Sequence, residues 1–141
     1  MAVLVDTSVW IEFFKPEGSQ RVKRAVAAAL EKGIVVTTSP ILVELLVGLN
    51  PARAPDARAI ERLRSLEAAE LGWDTCDKAG TLGRALARRG RRVPTVDLLI
   101  AGAAAAGAHE VWHVGDQHFV FLEQVGGPRQ RDVRGHKNDP S

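Results

Sequence analysis

The sequence predicts an α/β fold with a mainly parallel sheet. Short apolar runs alternate with helix-patterned segments along the chain, the pattern that yields strands joined by helical crossovers. Acidic residues stand just beyond two of the runs and early in helices, where open α/β sheets gather their ligands. The length of 141 residues suits one domain of common size, and 45% apolar with 26% charged residues is ordinary for a globular chain.

Residues 2–5 (A-V-L-V) form the first apolar run and read as a buried strand. Residues 8–14 read as a short helix capped by Thr7 or Ser8. Residues 19–32 are strongly helical, with Val22, Val26, Ala29 and Leu30 on one face, and Gly33 stops them. Ile34–Thr37 is the second strand. Ser39 caps the next helix, which has Pro40 in its first turn and runs to about Leu49. Pro51 and Pro55 break the chain before a helix over 56–69 that turns Ile60, Leu63 and Leu66 inward. Glu70–Trp73 is a third strand, Asp77–Arg89 a helix ended by Gly90, and residues 95–106 an Ala-rich, densely packed helix. Val111–Val114 is the last strand, followed by a turn at Asp116 and a short helix near Phe119–Gln124.

Residues 1–125 therefore form one domain. Gly126, Gly127 and Pro128 open a polar tail, 126–141, expected to be partly disordered. No stretch approaches the ~20 apolar residues of a membrane span, and the start M-A-V-L-V-D lacks the basic region of a signal peptide. A lone cysteine, Cys76, excludes an internal disulfide and fits a reducing cytosol. No phosphate-binding glycine motif of the G-x-x-x-x-G-K-[ST] or G-x-G-x-x-G type is present.

Four acids carry the functional signal: Asp6 in V-L-V-D-T-S-V-W, Glu44 in S-P-I-L-V-E-L-L-V-G, Asp97 in P-T-V-D-L-L-I-A-G and Asp116 in V-W-H-V-G-D-Q-H-F. Burying an ionised carboxylate is costly unless it is paired or binds a metal, and no Lys or Arg lies within six residues of Glu44. Each acid also has a plainer role. Asp6 can cap the helix at 8–14, Asp97 can sit at the positive end of its helix, and Asp116 lies in a Gly-Asp turn where Asp is frequent. Glu44 is flanked by Ile41, Leu42, Val43, Leu45, Leu46 and Val47, so its helix has no evident wet face. Connectivity places three of the four acids at one sheet edge.

These motifs, in this order and at similar spacing over residues 2–125, resemble the PIN-domain nucleases, and within them the VapC-type toxins of toxin–antitoxin pairs. The resemblance implies a PIN-like three-layer fold, with a central mainly parallel sheet of four or five short strands flanked by helices. It also implies that Asp6, Glu44, Asp97 and Asp116 are the catalytic, metal-binding acids, with Thr7 and Ser8 supporting the site. Many relatives carry a further acid two residues after the fourth. His118 stands there in this chain, so no fifth acidic role is carried over, and one or two ions remain open.

Hard carboxylate oxygens select Mg²⁺, with Mn²⁺ an alternative. The implied activity is metal-dependent hydrolysis of RNA phosphodiesters, with tRNA, rRNA and mRNA all open as substrates and the cytoplasm as its place. Arg84, Arg88, Arg89, Arg91 and Arg92 cluster in one stretch; of these Arg84, Arg88, Arg91 and Arg92 are assigned to the RNA backbone, since guanidinium forks suit phosphate. A solvated helix end explains the same cluster. The implied partners are a VapB-like antitoxin and a second copy of the chain, giving a homodimer or a heterotetramer or larger assembly. Part of the surface around Trp10, Phe13 and Phe14 is expected to serve the antitoxin, or else to belong to the core. A metal-free mechanism would need imidazoles from His109, His113, His118 and His136, and a zinc site from His113, Asp116 and His118 lacks the usual paired Cys/His spacing. The alternative from another class is a non-catalytic PIN-fold protein or RNA interaction module.

Overall fold

The computed structural model describes residues 1–135. Its elements are β1 (Val3–Val5), α1 (Thr7–Phe14), α2 (Gln20–Glu31), β2 (Val35–Thr37), α3 (Ser39–Gly48), α4 (Ala54–Arg64), β3 (Glu67–Ala68), α5 (Trp73–Arg88), α6 (Thr95–Gly107), β4 (Glu110–His113), α7 (Gln117–Gln124) and β5 (Gln130–Asp132). The five strands form one sheet in the order β3-β2-β1-β4-β5, and every pairing is parallel. This is the PIN-like α/β architecture expected from the sequence.

The strand order sorts the helices. From β1 the chain moves outward to β2 and β3, and from β4 it moves the opposite way to β5. With right-handed crossovers, α1–α4 cover one face and α5–α7 the other. The packing agrees: α1 meets α2 and α3, while α5, α6 and α7 meet one another. The strand order reverses between β1 and β4, and a crevice at such a switch point is where open α/β sheets bind ligands.

The central strand β1 is buried throughout, and Val9, Trp10, Val22, Val26, Ile41, Ile100, Val111 and Leu122 pack around it. Removing one such aliphatic side chain forfeits about 1.5–3 kcal/mol of burial. Trp10 is fully buried and stacks on Phe14 at 5.6 Å, so this ring belongs to the core; Phe13 and Phe14 are half-buried against it. The close approach of α5 to α6 needs Gly102, because a Cβ there would meet the Thr75 carbonyl oxygen at 2.6 Å.

Several expected boundaries are corrected. The third strand is Glu67–Ala68 rather than 70–73, and Trp73 opens α5 four residues ahead of the expected Asp77. Strand β3 is two exposed residues at the sheet edge, so it carries no apolar run to find. Helix α4 begins at Ala54 because Pro55 fits a first helical turn instead of breaking it, and it ends at Arg64. The start of the polar tail is also ordered: Gln130–Asp132 pairs with β4, and Val133 is buried. Main-chain ladder bonds hold this polar strand, which needs no apolar side chains. His136, Lys137 and the rest of the tail to Ser141 lie outside the described residues.

Candidate active site

Three helices begin at the crevice, and an acid sits at each beginning. Asp6 directly follows β1 and is the N-cap of α1; its Oδ2 accepts from the Ser8 backbone N at 3.2 Å and from Ser8 Oγ at 2.7 Å. Ser8 Oγ also accepts from Val114 N at 3.1 Å, which ties the end of β1 to the segment after β4. Asp116 is the N-cap of α7, its Oδ1 accepting from His118 N at 2.9 Å. Asp97 lies in the first turn of α6. The capping role open to Asp6 is thus real, in place of the expected cap at Thr7 or Ser8, and Asp116 caps α7 as well as turning the chain. Both caps are compatible with a second role, since a carboxylate has about four acceptor sites and these contacts engage one oxygen of each.

The acids act on one another. Burial pushes the Asp6 carboxyl above its ordinary range against the Ser8 hydrogen bonds, and Asp116 adds to the rise. Asp97 is pushed up to about 6, first by burial and then by the charges of Asp116 and Asp6; His118 opposes the shift. Carboxyls raised by burial and by the charge of a neighbouring acid mark a place where positive charge is in short supply.

His118 occupies the centre of this shortage. Its Nδ1 lies 2.9 Å from Asp97 Oδ2 and 3.1 Å from Asp116 Oδ1. One donor atom from each of Asp97, Asp116 and His118 falls within 4.8 Å of the others, a spacing that fits a divalent cation. Asp6 stands near enough to weigh on Asp97 but is outside that tightest group. Glu44 is linked to the crevice only at its rim, accepting from Thr7 Oγ1 at 3.1 Å. It is exposed, which corrects the expectation that its helix lacks a wet face: Val43, Leu46 and Val47 are exposed beside it. Thr7 and Ser8 therefore both touch a site acid, Glu44 and Asp6 respectively.

His113, by contrast, is fully engaged elsewhere. It is buried, its Nδ1 accepts from Asp116 N at 3.0 Å, and its Nε2 lies 2.6 Å from Gln130 Oε1. Gln130 in turn donates Nε2 to Glu123 Oε1 at 3.1 Å. This Glu123–Gln130–His113 chain fixes the main chain at Asp116, and it rules out the His113–Asp116–His118 zinc trio, whose first member has no nitrogen left. The sequence offered a signal for it only in the H-V-G-D spacing; the Gln130 link needed β5.

Arg84, Arg88, Arg89, Arg91 and Arg92 are all exposed, from the last turns of α5 into the loop before α6. Arg91 lies over the Phe121 ring at 3.9 Å, and Arg84 donates to Thr81 Oγ1 at 3.3 Å. Cys76 is exposed on α5. Among the described residues no helix is long and apolar enough to cross a membrane.

A protein-family model of the PIN domain matches residues 3–119. Comparison with curated protein sequences gives no match. Solved structures with the same fold include VapBC-5 of Mycobacterium tuberculosis, a VapBC toxin–antitoxin member, at 28% identity and a TM-score of 0.63, covering 93% of this chain and 97% of that one. VapC20 of the same organism, a Sarcin-Ricin loop cleaving toxin, is 24% identical at a TM-score of 0.63 and covers 95% of this chain and 100% of its own. VapBC-1 from nontypeable Haemophilus influenzae is 20% identical at a TM-score of 0.74, covering 96% of this chain and 100% of that one.

Proposed function

The chain belongs to the PIN-domain family, and on that premise we propose that it is the toxin of a VapBC-type pair: a ribonuclease that depends on a divalent cation and is restrained by a VapB-like antitoxin. The observation that carries this reading is the convergence of Asp6, Asp97 and Asp116 at the switch point between β1 and β4. The donor set fits a dication, because Asp6 and Asp97, raised by burial and by a neighbouring acid's charge, gain from added positive charge. Asp97 and Asp116 would hold the ion most directly, Asp6 would complete the negative field, and Glu44 would act from the rim beside Thr7. A bound Mg²⁺ or Mn²⁺ would make water more acidic and offset charge on the scissile phosphate.

The protein's own contributions are orientation and charge placement. Ser8 holds the Asp6 carboxylate while bonding the chain after β4, and His113 holds the main chain at Asp116. The N-termini of α1, α6 and α7 direct partial positive charge toward the crevice, which favours an anionic substrate. Arg84, Arg88, Arg91 and Arg92 would position the RNA backbone without selecting its sequence.

Ile11, Val43, Leu46 and Val47, on the neighbouring helices α1 and α3, leave large apolar side chains in solvent. Such exposure supports a protein partner, and an antitoxin peptide and a second copy of the chain are the two users proposed. The solved VapBC complexes that share the fold support the antitoxin.

The test is RNA cleavage by the wild type and by the Asp6→Asn and Asp97→Asn variants, each with Mg²⁺ and with EDTA. Loss of ion binding removes several kcal/mol of transition-state stabilisation, so each variant and the chelated wild type should fall by about 100-fold or more. Equal cleavage in all samples defeats the proposal.

A further inference from the structure

We propose that the cation site of this chain is a mixed carboxylate–imidazole site, in which Nδ1 of His118 is a ligand beside Asp97 and Asp116. In consequence the site prefers a first-row transition dication over Mg²⁺. This rests on the reading that the acidic crevice holds a divalent cation, and it adds the identity of a ligand and the class of ion.

The geometry comes first. Adjacent corners of an octahedron with bonds of about 2.1 Å are about 3 Å apart. In this structure Nδ1 of His118 is hydrogen-bonded to Asp97 Oδ2 at 2.9 Å and lies 3.1 Å from Asp116 Oδ1. Both separations also suit neighbouring ligands, so an ion can replace the shared proton with little movement of the ring. The ring is also held in place from below. His118 N is fixed to Asp116 Oδ1 at 2.9 Å in the first turn of α7, and the main chain at Asp116 is fixed by buried His113. A ligand whose backbone is anchored to a second ligand loses little freedom on binding an ion.

The chemistry follows from the donor. Mg²⁺ favours oxygen and keeps several waters, whereas a neutral imidazole nitrogen binds transition dications better, with affinity rising from Mn²⁺ toward the later metals. His118 is the one imidazole among the described residues placed to do this. His113 has both nitrogens engaged, and His109 lies just before β4, at the opposite end of the strand from the crevice. A carboxylate at position 118 would give an all-oxygen site and restore the preference for Mg²⁺.

The experiment uses the full chain, stripped with chelator and titrated with Mn²⁺. Continuous-wave electron paramagnetic resonance counts bound ions, and electron spin-echo modulation detects a directly bonded ¹⁴N. The wild type should bind Mn²⁺ with ¹⁴N modulation. His118→Asp should still bind Mn²⁺ without the modulation, and its preference for Mn²⁺ over Mg²⁺, read by competition, should narrow by about tenfold, the low end of what altered ligand surroundings cost. The wild-type echo decides the question even where the variant fails to fold. Bound Mn²⁺ without ¹⁴N modulation overturns this inference and leaves the cation reading standing. Failure of Mn²⁺ and Mg²⁺ to bind the wild type overturns both.

Discussion

Asp6 and Asp97 bring negative charge to the same crevice, but the protein holds them in opposite ways. Asp6 is buried, caps α1, and is gripped by Ser8, which also bonds Val114 across the sheet. Asp97 projects from a helix with no strand before it, and its carboxylate is hydrogen-bonded to His118, itself 40% exposed at the side chain. Both carboxyls are raised above their ordinary range. The first is therefore built into the folding of the sheet, while the second is held above its range first by burial and then by the charges of Asp116 and Asp6, with His118 opposing. Asp6 is tied in by its cap and by Ser8, and Asp97 by its hydrogen bond to His118.

Four measurements would break or sharpen that contrast. The largest effect is expected from Ser8→Ala, which takes a donor from Asp6 and leaves Val114 N without its partner. Stranding such a group costs about 1–3 kcal/mol, read as a lower denaturant midpoint, whereas His118→Ala should cost less, because the His118 side chain is 40% exposed and water can take its place beside Asp97. Equal losses would break the contrast. Next, Asp97→Asn should lower cleavage by about 100-fold or more while raising the melting temperature in EDTA, by roughly 3 °C for each kcal/mol of burial cost and repulsion relieved. No gain would mean that Asp97 is not strained.

The pH dependence sharpens the same point. The native Asp97 carboxyl titrates at about 6 against an ordinary 3.8, so between those values the folded protein carries more protons than the unfolded chain. Stability from this group is whole below pH 3.8, falls as pH rises through the window, and is gone above about 6. Denaturation in EDTA from pH 4 to 7 should show this decline in the wild type and a flatter profile in Asp97→Asn, and saturating Mn²⁺ at pH 7 should restore the loss. The smallest effect concerns the substrate: Arg88→Ala with Arg92→Ala should weaken RNA binding and lower the salt slope by about one unit for each phosphate left without its arginine, without moving the melting temperature. An unchanged slope would remove these arginines from the RNA path.

What can be read in the sequence divides along local lines. V-L-V-D and V-W-H-V-G-D announce a strand followed by an acid, and the helix after each needs a cap, so Asp6 and Asp116 are legible from neighbours alone. Asp97 is legible as a first-turn acid but not as part of a cluster, because its partners arrive from β1 and α7. Glu44 misleads: Val43, Leu46 and Val47 look like core in the sequence, yet they are exposed, since hydropathy cannot separate a face that meets the core from one that meets a partner. His118 reads in the sequence as the loss of an acid, and only folding places its ring between Asp97 and Asp116. β5 escapes sequence reading because Q-R-D carries no apolar alternation; its stability lies in main-chain pairing with β4 and in Val133 behind it.

That last strand extends the ordered unit beyond the stretch that carries the acids. Shortening the chain at Pro128 would leave every carboxylate of the crevice in the polypeptide, yet it would delete Gln130, unhook His113 and release the turn that aims Asp116. A chain cut back to the acids alone would thus lack the hydrogen bonds that hold the Asp116 turn, and opening the chain at Gly126–Pro128 would leave β5 held to the rest by its pairing with β4.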